Sequence, residues 1–187
     1  MLLLVSCFAH TNTVPYPNAW GSIRASTTGE SCPKIEGTYR DQGEISGKGP
    51  RSCIYPDCGS LAFNLVSDPY VFSRGDAPSG GLVRISQPSG ERVEILGGPR
   101  HVRTALSLAE GDFACDENGL RLKAKSTGLF LLAENVIAEE SRIFNVADDG
   151  SLVMKVEWHN YGNRLIAGYS NRGEVWVRWE RFSQRND

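Results

Sequence analysis

Residues 151–158 read SLVMKVEW and residues 174–182 read EVWVRWERF. In the first stretch Leu152, Met154, Val156 and Trp158 fall on one side of an extended chain, and Val153, Lys155 and Glu157 on the other. In the second, Val175, Val177 and Trp179 oppose Trp176, Arg178 and Glu180. Side chains alternate across a strand with a period of two, so each stretch predicts a strand with one buried and one wet face. LRLKAK at 120–125 repeats the pattern, with Leu120, Leu122 and Ala124 opposite Arg121, Lys123 and Lys125. Between Leu82 and Phe182, runs of Val, Ile, Leu and aromatics are separated by Ser89-Gly90, Asn118-Gly119, Thr127-Gly128, Asp149-Gly150 and Arg172-Gly173. Such dipeptides tolerate the positive φ of tight hairpins, so the strands are expected to be antiparallel.

The expected strands lie near 36–40, 82–87, 91–96, 102–108, 112–116, 119–125, 129–134, 141–148, 151–158, 164–169 and 173–182, and SLAFNLV at 60–66 is the one helical segment. A meander of eight or more strands with one edge helix predicts an all-β fold closing into a barrel, because closure removes exposed edges. A two-sheet β-sandwich is the alternative. The chain of 187 residues, 40% of them apolar, supports one domain with its own core. A net charge of −2 argues against a nucleic-acid partner. No apolar run approaches the roughly 20 residues that span a bilayer as a helix, so membrane contact falls to the N-terminus.

There, Leu4-Val5-Ser6-Cys7 resembles the lipobox of bacterial lipoprotein precursors, which implies that Cys7 is the lipid attachment point and residues 1–7 a partial signal segment. No Lys or Arg precedes Arg24, and Met1–Val5 is shorter than the apolar region of a complete signal peptide, as if the natural start lay upstream. Residues 8–31, rich in Thr, Ser, Asn, Pro and Gly without an apolar period, are expected to be a flexible tether that includes Trp20, and residues 32–183 the folded domain. Assigning Cys7 to a lipid leaves Cys32, Cys53, Cys58 and Cys115, an even set suited to two disulfides in an oxidising compartment. The loop CIYPDC favours Cys53 with Cys58, which leaves Cys32 with Cys115; pairing of Cys32 with either loop cysteine stays open. CxxxxC with no second ligand pair is a weak zinc signal, and no metal or cofactor is expected. The alternative address is cytoplasmic, with all five cysteines reduced.

CPKIEGTYRDQGE at 32–44, with Gly37-Thr38-Tyr39, and the C-terminal ADDGSLVMKVEWHN and VWVRWERF together resemble an uncharacterised group of bacterial lipocalin-like lipoproteins. The resemblance covers most of Cys32–Phe182 and implies a barrel whose first-strand aromatic, Tyr39, packs with Arg178 or Arg181. It carries over no activity. The long segment before Cys32 departs from the group.

Catalytic patterns are scarce. His10, His101 and His159 stand in no ligand spacing, GYSNRG is not a GxSxG elbow, and SGKGPRS lacks the order of a phosphate loop. Glu139-Glu140 and Asp148-Asp149 read as solvated charges, since neighbouring carboxylates in a strand point to opposite faces. An enzyme would require His159 to meet an acid and a nucleophile in one cleft. Trp158, Trp176, Trp179 and Arg178 are the candidate binding surface, Trp176 above all because it falls on the polar side of its strand. Two functions follow: an envelope interaction protein with a solid core, or a lipocalin-like carrier of a small apolar ligand. A cytosolic β-barrel is the third.

Overall fold

The computed structural model describes residues 8–24, 32–47, 59–65, 81–97, 102–131, 134–164 and 167–183. The strands are β1 (Phe8–Thr13), β2 (Gly37–Arg40), β3 (Glu44–Ser46), β4 (Leu82–Ser89), β5 (Arg92–Gly97), β6 (Val102–Ser107), β7 (Phe113–Asp116), β8 (Gly119–Leu122), β9 (Lys125–Leu131), β10 (Glu134–Val146), β11 (Leu152–Arg164) and β12 (Ala167–Trp179), with one short helix, α1 (Leu61–Leu65). The large sheet has the order β1-β12-β11-β10-β8-β7, with β3 also on β12 and β9 also on β10; the small sheet is β2-β4-β5-β6. Every pairing is antiparallel except that of β1 with β12.

The alternation of the long strands holds at atomic level. Leu152, Met154, Val156 and Trp158 are buried, as are Val175, Val177 and Trp179, while Lys155, Glu157, Trp176 and Arg178 are only partly covered. These inward residues join Leu120 and Phe144 of the large sheet and meet Tyr39, Val83, Ile85, Val93 and Ile95 of the small one in a single core. Val153 breaks the rule, being fully buried on the polar side. Its side of the sheet is the one that residues 14–24 cross, with Ile23 bridging Ala147 and Tyr16 meeting Trp176.

The two sheets meet at a bend. β2 belongs to the small sheet and β3 to the large, and Asp41 lies between them with no exposed surface. Its backbone N–H donates to Gly81 O at 2.9 Å and its carbonyl accepts from Leu61 N at 2.8 Å. Its carboxylate accepts from Ser60 Oγ at 3.0 Å and from Ala62 N at 2.8 Å, thereby capping α1 from a distance in sequence. Next to the bend, Gly43 crosses Trp179: a Cβ there would lie 2.6 Å from the indole nitrogen and 2.7 Å from Arg178 O. The indole N–H donates to Gly59 O at 2.6 Å, so the largest core side chain is also satisfied. Beyond Trp179 the chain passes to the small sheet, where Arg40 N donates to Glu180 O and Phe182 N to Thr38 O.

Among the described residues, that corner is where the two ladders join. Among the described residues β6 pairs only with β5, and β7 only with β8, the two being linked by the turn at 108–112. The described strands therefore form an all-β, sandwich-like pair of sheets, and their ladder does not close into a barrel. Cys32, just before β2, is disulfide-bonded to Cys115 in β7, tying the small sheet's first strand to the far edge of the large one. By loop-closure entropy a bridge across 83 residues is worth about 4 to 5 kcal/mol.

Several expectations are corrected. Thr127-Gly128 lies inside β9 and Arg172-Gly173 inside β12, and the strands expected at 164–169 and 173–182 are largely one. Gly173 is a strand residue because Trp158, directly opposite, covers it; a Cβ would collide with the Trp158 ring and with Asn12 O. The expected tether is docked over residues 8–24, since β1 completes the edge of β12 with backbone hydrogen bonds and Trp20 is buried; residues 25–31 lie outside the described residues. Tyr39 meets Arg181 across a backbone bridge, whereas Arg178 turns away to Asp149. Tyr39 Oη donates to Ile35 O at 3.1 Å, and burial pushes its pKa up to about 12.

Asp41→Ala strips a buried acceptor from Ser60 and from the start of α1, and is expected to cost about 2 to 3 kcal/mol, read as a lower urea midpoint at unchanged slope. Gly173→Ala, which forces Trp158 or β1 aside, is expected to cost about 1 to 3 kcal/mol and to red-shift the tryptophan emission.

Candidate functional site

The outward face of the large sheet gathers most of the partly covered charged groups. Register sets Glu157 of β11 directly opposite Glu174 of β12, a like-charge pair that destabilises a sheet when uncompensated. Lys155, one pleat along, reaches both carboxylates, at 2.8 Å and 3.2 Å. Arg121 of β8 approaches Glu157 from the other side at 3.4 Å and donates to Ser141 Oγ. Burial acts to raise the Glu157 pKa, but the bonds from Lys155 and Arg121 outweigh it and hold the carboxyl below its usual value. Burial likewise acts to lower the Lys155 pKa, and the two glutamates overcome it, raising the ammonium above its usual value.

Residues 14–24 roof the lower part of this face. The Tyr16 ring meets Trp176 edge-on at 5.0 Å and Trp20 at 5.9 Å, and Lys155 Nζ lies 5.8 Å from the Trp176 ring centre. Between the roof and the sheet a cleft of about 360 Å³ is lined by Ile23, Arg24, Arg121, Lys155, Glu157 and Trp176. Trp176 Nε1 is buried there without a partner among the described residues. Above it, and sharing Glu157, an open groove of about 660 Å³ runs between Thr11 and Thr13 of β1, Arg172 and Glu174 of β12, and His159 of β11.

His159 meets a hydroxyl and stands opposite an acid in the register. Its Nε2 lies 3.0 Å from Ser170 Oγ, its ring is 4.7 Å from that of Tyr161, and Glu139 stands opposite it in register. The carboxylate is engaged elsewhere, accepting from Tyr161 Oη at 3.0 Å, a bond that raises the phenol's pKa. A nucleophile triad needs the acid on the second imidazole nitrogen and backbone N–H groups free to hold an oxyanion. In these central strands those N–H groups face the ladder. The geometry is that of a hydrogen-bonded surface ladder that can present polar groups to a partner.

Of the residues named from sequence, Trp158 and Trp179 are core side chains, and Trp158 also borders the groove. Trp176 and Arg178 do lie outward, but the chain covers its own tryptophan, and Arg178 is held by Asp149 at 2.6 Å. Asp149 also accepts from Ser151 N, and these bonds outweigh burial to lower its pKa. Glu140 is not a solvated charge: it pairs at 2.6 Å with Arg142, which is buried and donates to Asn64 O. His10 lies exposed in β1; Cys7, Cys53, Cys58 and His101 fall outside the described residues. Among the described residues no group of three or more His, Cys, Asp or Glu is placed to hold a metal ion. Glu174, Arg172, Thr11 and Thr13 were missed because only the pairing register, which no short motif encodes, brings them beside Glu157.

Replacing Lys155 by Met should expose the Glu157–Glu174 repulsion and cost roughly 1 kcal/mol at pH 7. The sign follows from the carboxylate. In the native chain Glu157 is held low, so its stabilisation is complete above the unfolded value of 4.5 and is lost as pH falls through the lower folded value. Without Lys155 the repelled pair gains from protonation instead. The deficit of the variant should therefore shrink from pH 7 to pH 3, as read by urea unfolding at each pH; a constant deficit would exclude this role. Comparison with family models, with curated proteins and with solved structures returns no match to this chain.

Proposed function

We propose that this chain is an interaction protein of the bacterial cell envelope, anchored by a lipid on Cys7, that offers the outward groove of its large sheet to an envelope partner and carries out no reaction. The observation that carries this reading is the distribution of space. Between the sheets, Trp179, Tyr39, Phe144 and Met154 have no exposed surface, while the described clefts are edged by charged and hydroxyl groups, with Trp158 and Trp176 among their lining. A cavity for an apolar cargo needs the reverse. The envelope address is supported by the Cys32–Cys115 bond, since such bonds persist in oxidising compartments, and by the Leu4-Val5-Ser6-Cys7 sequence.

The second reading is a lipocalin-like barrel carrying a small apolar molecule. It is favoured by the corner at which residues 180–182 leave the large sheet for β2, the kind of strand sharing by which a sheet closes on itself.

A fluorescent fatty acid titrated into the purified chain separates the two. No saturable binding is expected, whereas a photo-crosslinker at Arg172, in the groove, should capture one discrete envelope partner and the same group at Arg92, on the small sheet, should not. Saturable one-to-one binding of the fatty acid would reverse the order of the two readings.

A further inference from the structure

The outer face of the small sheet departs from the alternation of its own strands. In β4 and β5 the inward positions Val83, Ile85, Val93 and Ile95 are buried, and the outward ones are ordinarily polar. Leu82 and Leu96 are instead 40% and 50% exposed, two of the three large apolar side chains that stand exposed among the described residues. Leucines scattered singly over a surface need no explanation. These two are diagonal neighbours, because Leu96 pairs with Arg84, which lies two residues along β4 from Leu82.

Register surrounds them with cations. Leu96 has Arg84 beside it on β4 and Arg103 on its other side in β6, and Leu82 has Arg40 beside it on β2. Side chains so paired have Cβ atoms about 5 Å apart. All five are exposed, so three guanidinium groups and two leucines share one patch across four adjacent strands. Arg40 has a carboxylate nearby, Glu180 at 3.6 Å, but Arg84 and Arg103 have no ion-pair partner among the described residues. Glu94, the acid on the outer face of β5, is held by Arg92 at 2.9 Å. On a chain whose net charge is −2, the patch is a local reversal of sign.

We propose that this face of the small sheet lies on the anionic surface of a lipid bilayer, with the arginines on lipid phosphates and Leu82 and Leu96 at the acyl boundary. Arginine stems lie along apolar surface while their heads reach out to polar groups, and a planar guanidinium can engage two phosphate oxygens at once. Each arginine close to an anionic leaflet is worth about a fivefold gain in binding. A second copy of the chain fits poorly, since an isologous contact sets the patch on itself and arginine against arginine. Protein interfaces are anchored chiefly by Trp, Tyr and Arg, with leucine under-represented, whereas leucine among basic residues is the composition of surfaces that rest in the headgroup layer. The inference deepens the envelope reading but needs no acyl group on Cys7. Because the two sheets share one core, their outer faces point opposite ways, so the groove at Glu157 and His159 faces away from the membrane.

The test uses the full chain carrying Cys7→Ser, so that no acyl anchor contributes, sedimented with vesicles of phosphatidylcholine alone or mixed with phosphatidylglycerol. Binding to the mixed vesicles should be at least tenfold tighter than to phosphatidylcholine alone. Arg84→Gln combined with Arg103→Gln should weaken it at least tenfold and Leu96→Ser at least threefold, while Lys123→Gln, which removes an exposed charge beyond β8, should change it less than twofold. No binding to the mixed vesicles, or equal binding to both kinds, overturns the proposal. Binding that the arginine pair leaves unchanged assigns the membrane contact to another face and also overturns it. A dimer in ultracentrifugation that Arg84→Gln dissolves gives the patch to a second copy, and a crosslinker at Leu96 that captures an acidic protein while vesicles stay unbound gives it to a protein; either result overturns the proposal. Should the double variant lose its native urea midpoint, Leu96→Trp decides. Vesicles with brominated phosphatidylglycerol should quench it at least threefold more than Ala114→Trp on the outer face of the large sheet, after subtraction of the native tryptophans, and equal quenching overturns the docking. Failure of the membrane contact leaves the groove reading standing, since the crosslinker at Arg172 tests that separately.

Discussion

The buried carboxylate of Asp41 is the constraint on which the arrangement of the two sheets depends. A strand can serve two sheets only if the chain turns sharply between them, and a sharp turn inside a protein strands polar groups away from water. Asp41 resolves this by engaging its N–H, its carbonyl and its carboxylate at once, with Gly81, Leu61, Ser60 and Ala62 as partners. Those four lie at the start of β4 and of α1, so one residue positions the bend, the helix and the next strand. Gly43 then lets the chain lie against Trp179, whose indole N–H finds Gly59. The largest core side chain is thus locked to the same few residues that set the angle between the sheets.

What was legible in the sequence was what a period of two can carry. SLVMKVEW and EVWVRWERF gave their inward faces correctly, and the turns at Ser89-Gly90, Asn118-Gly119 and Asp149-Gly150 fall where such dipeptides put them. The same logic failed at Arg172-Gly173, because a glycine that relaxes the backbone for a turn looks identical to one that makes room for a neighbouring ring, and only the register shows Trp158 lying over it. β1 was missed because FAHTNT has little apolar content of its own; it is a strand because β12 offers it an open edge. Arg142 and Glu140 escaped for a related reason: a charged pair facing inward reads as surface until its partners, here each other and Asn64 O, are known.

The groove has the same origin. Glu157 and Lys155 were readable as a wet face, but its character comes from the β11–β12 pairing that sets Glu174 against Glu157 and obliges Lys155 to bridge them. Charges so committed are less free to reorganise than isolated surface groups, and a partner meeting them finds a pattern already set. The roof of residues 14–24 adds a second restriction, since Tyr16 occupies the tryptophan that would otherwise be the most adhesive point of the face.

The pairing of β1 with β12 joins positions 161 residues apart, as between Thr11 and Arg172. Contacts of such long range are reached late, because the intervening chain must be ordered before they repay the closure entropy. β12 meanwhile has its edge open along Tyr169–Glu174, an unsatisfied row of backbone groups that any extended peptide can join. Until its own first strand arrives, the nearly folded chain is a template for strand exchange between copies. The moment at which Phe8–Thr13 settles is therefore also the moment at which this edge of β12 is closed to exchange between copies.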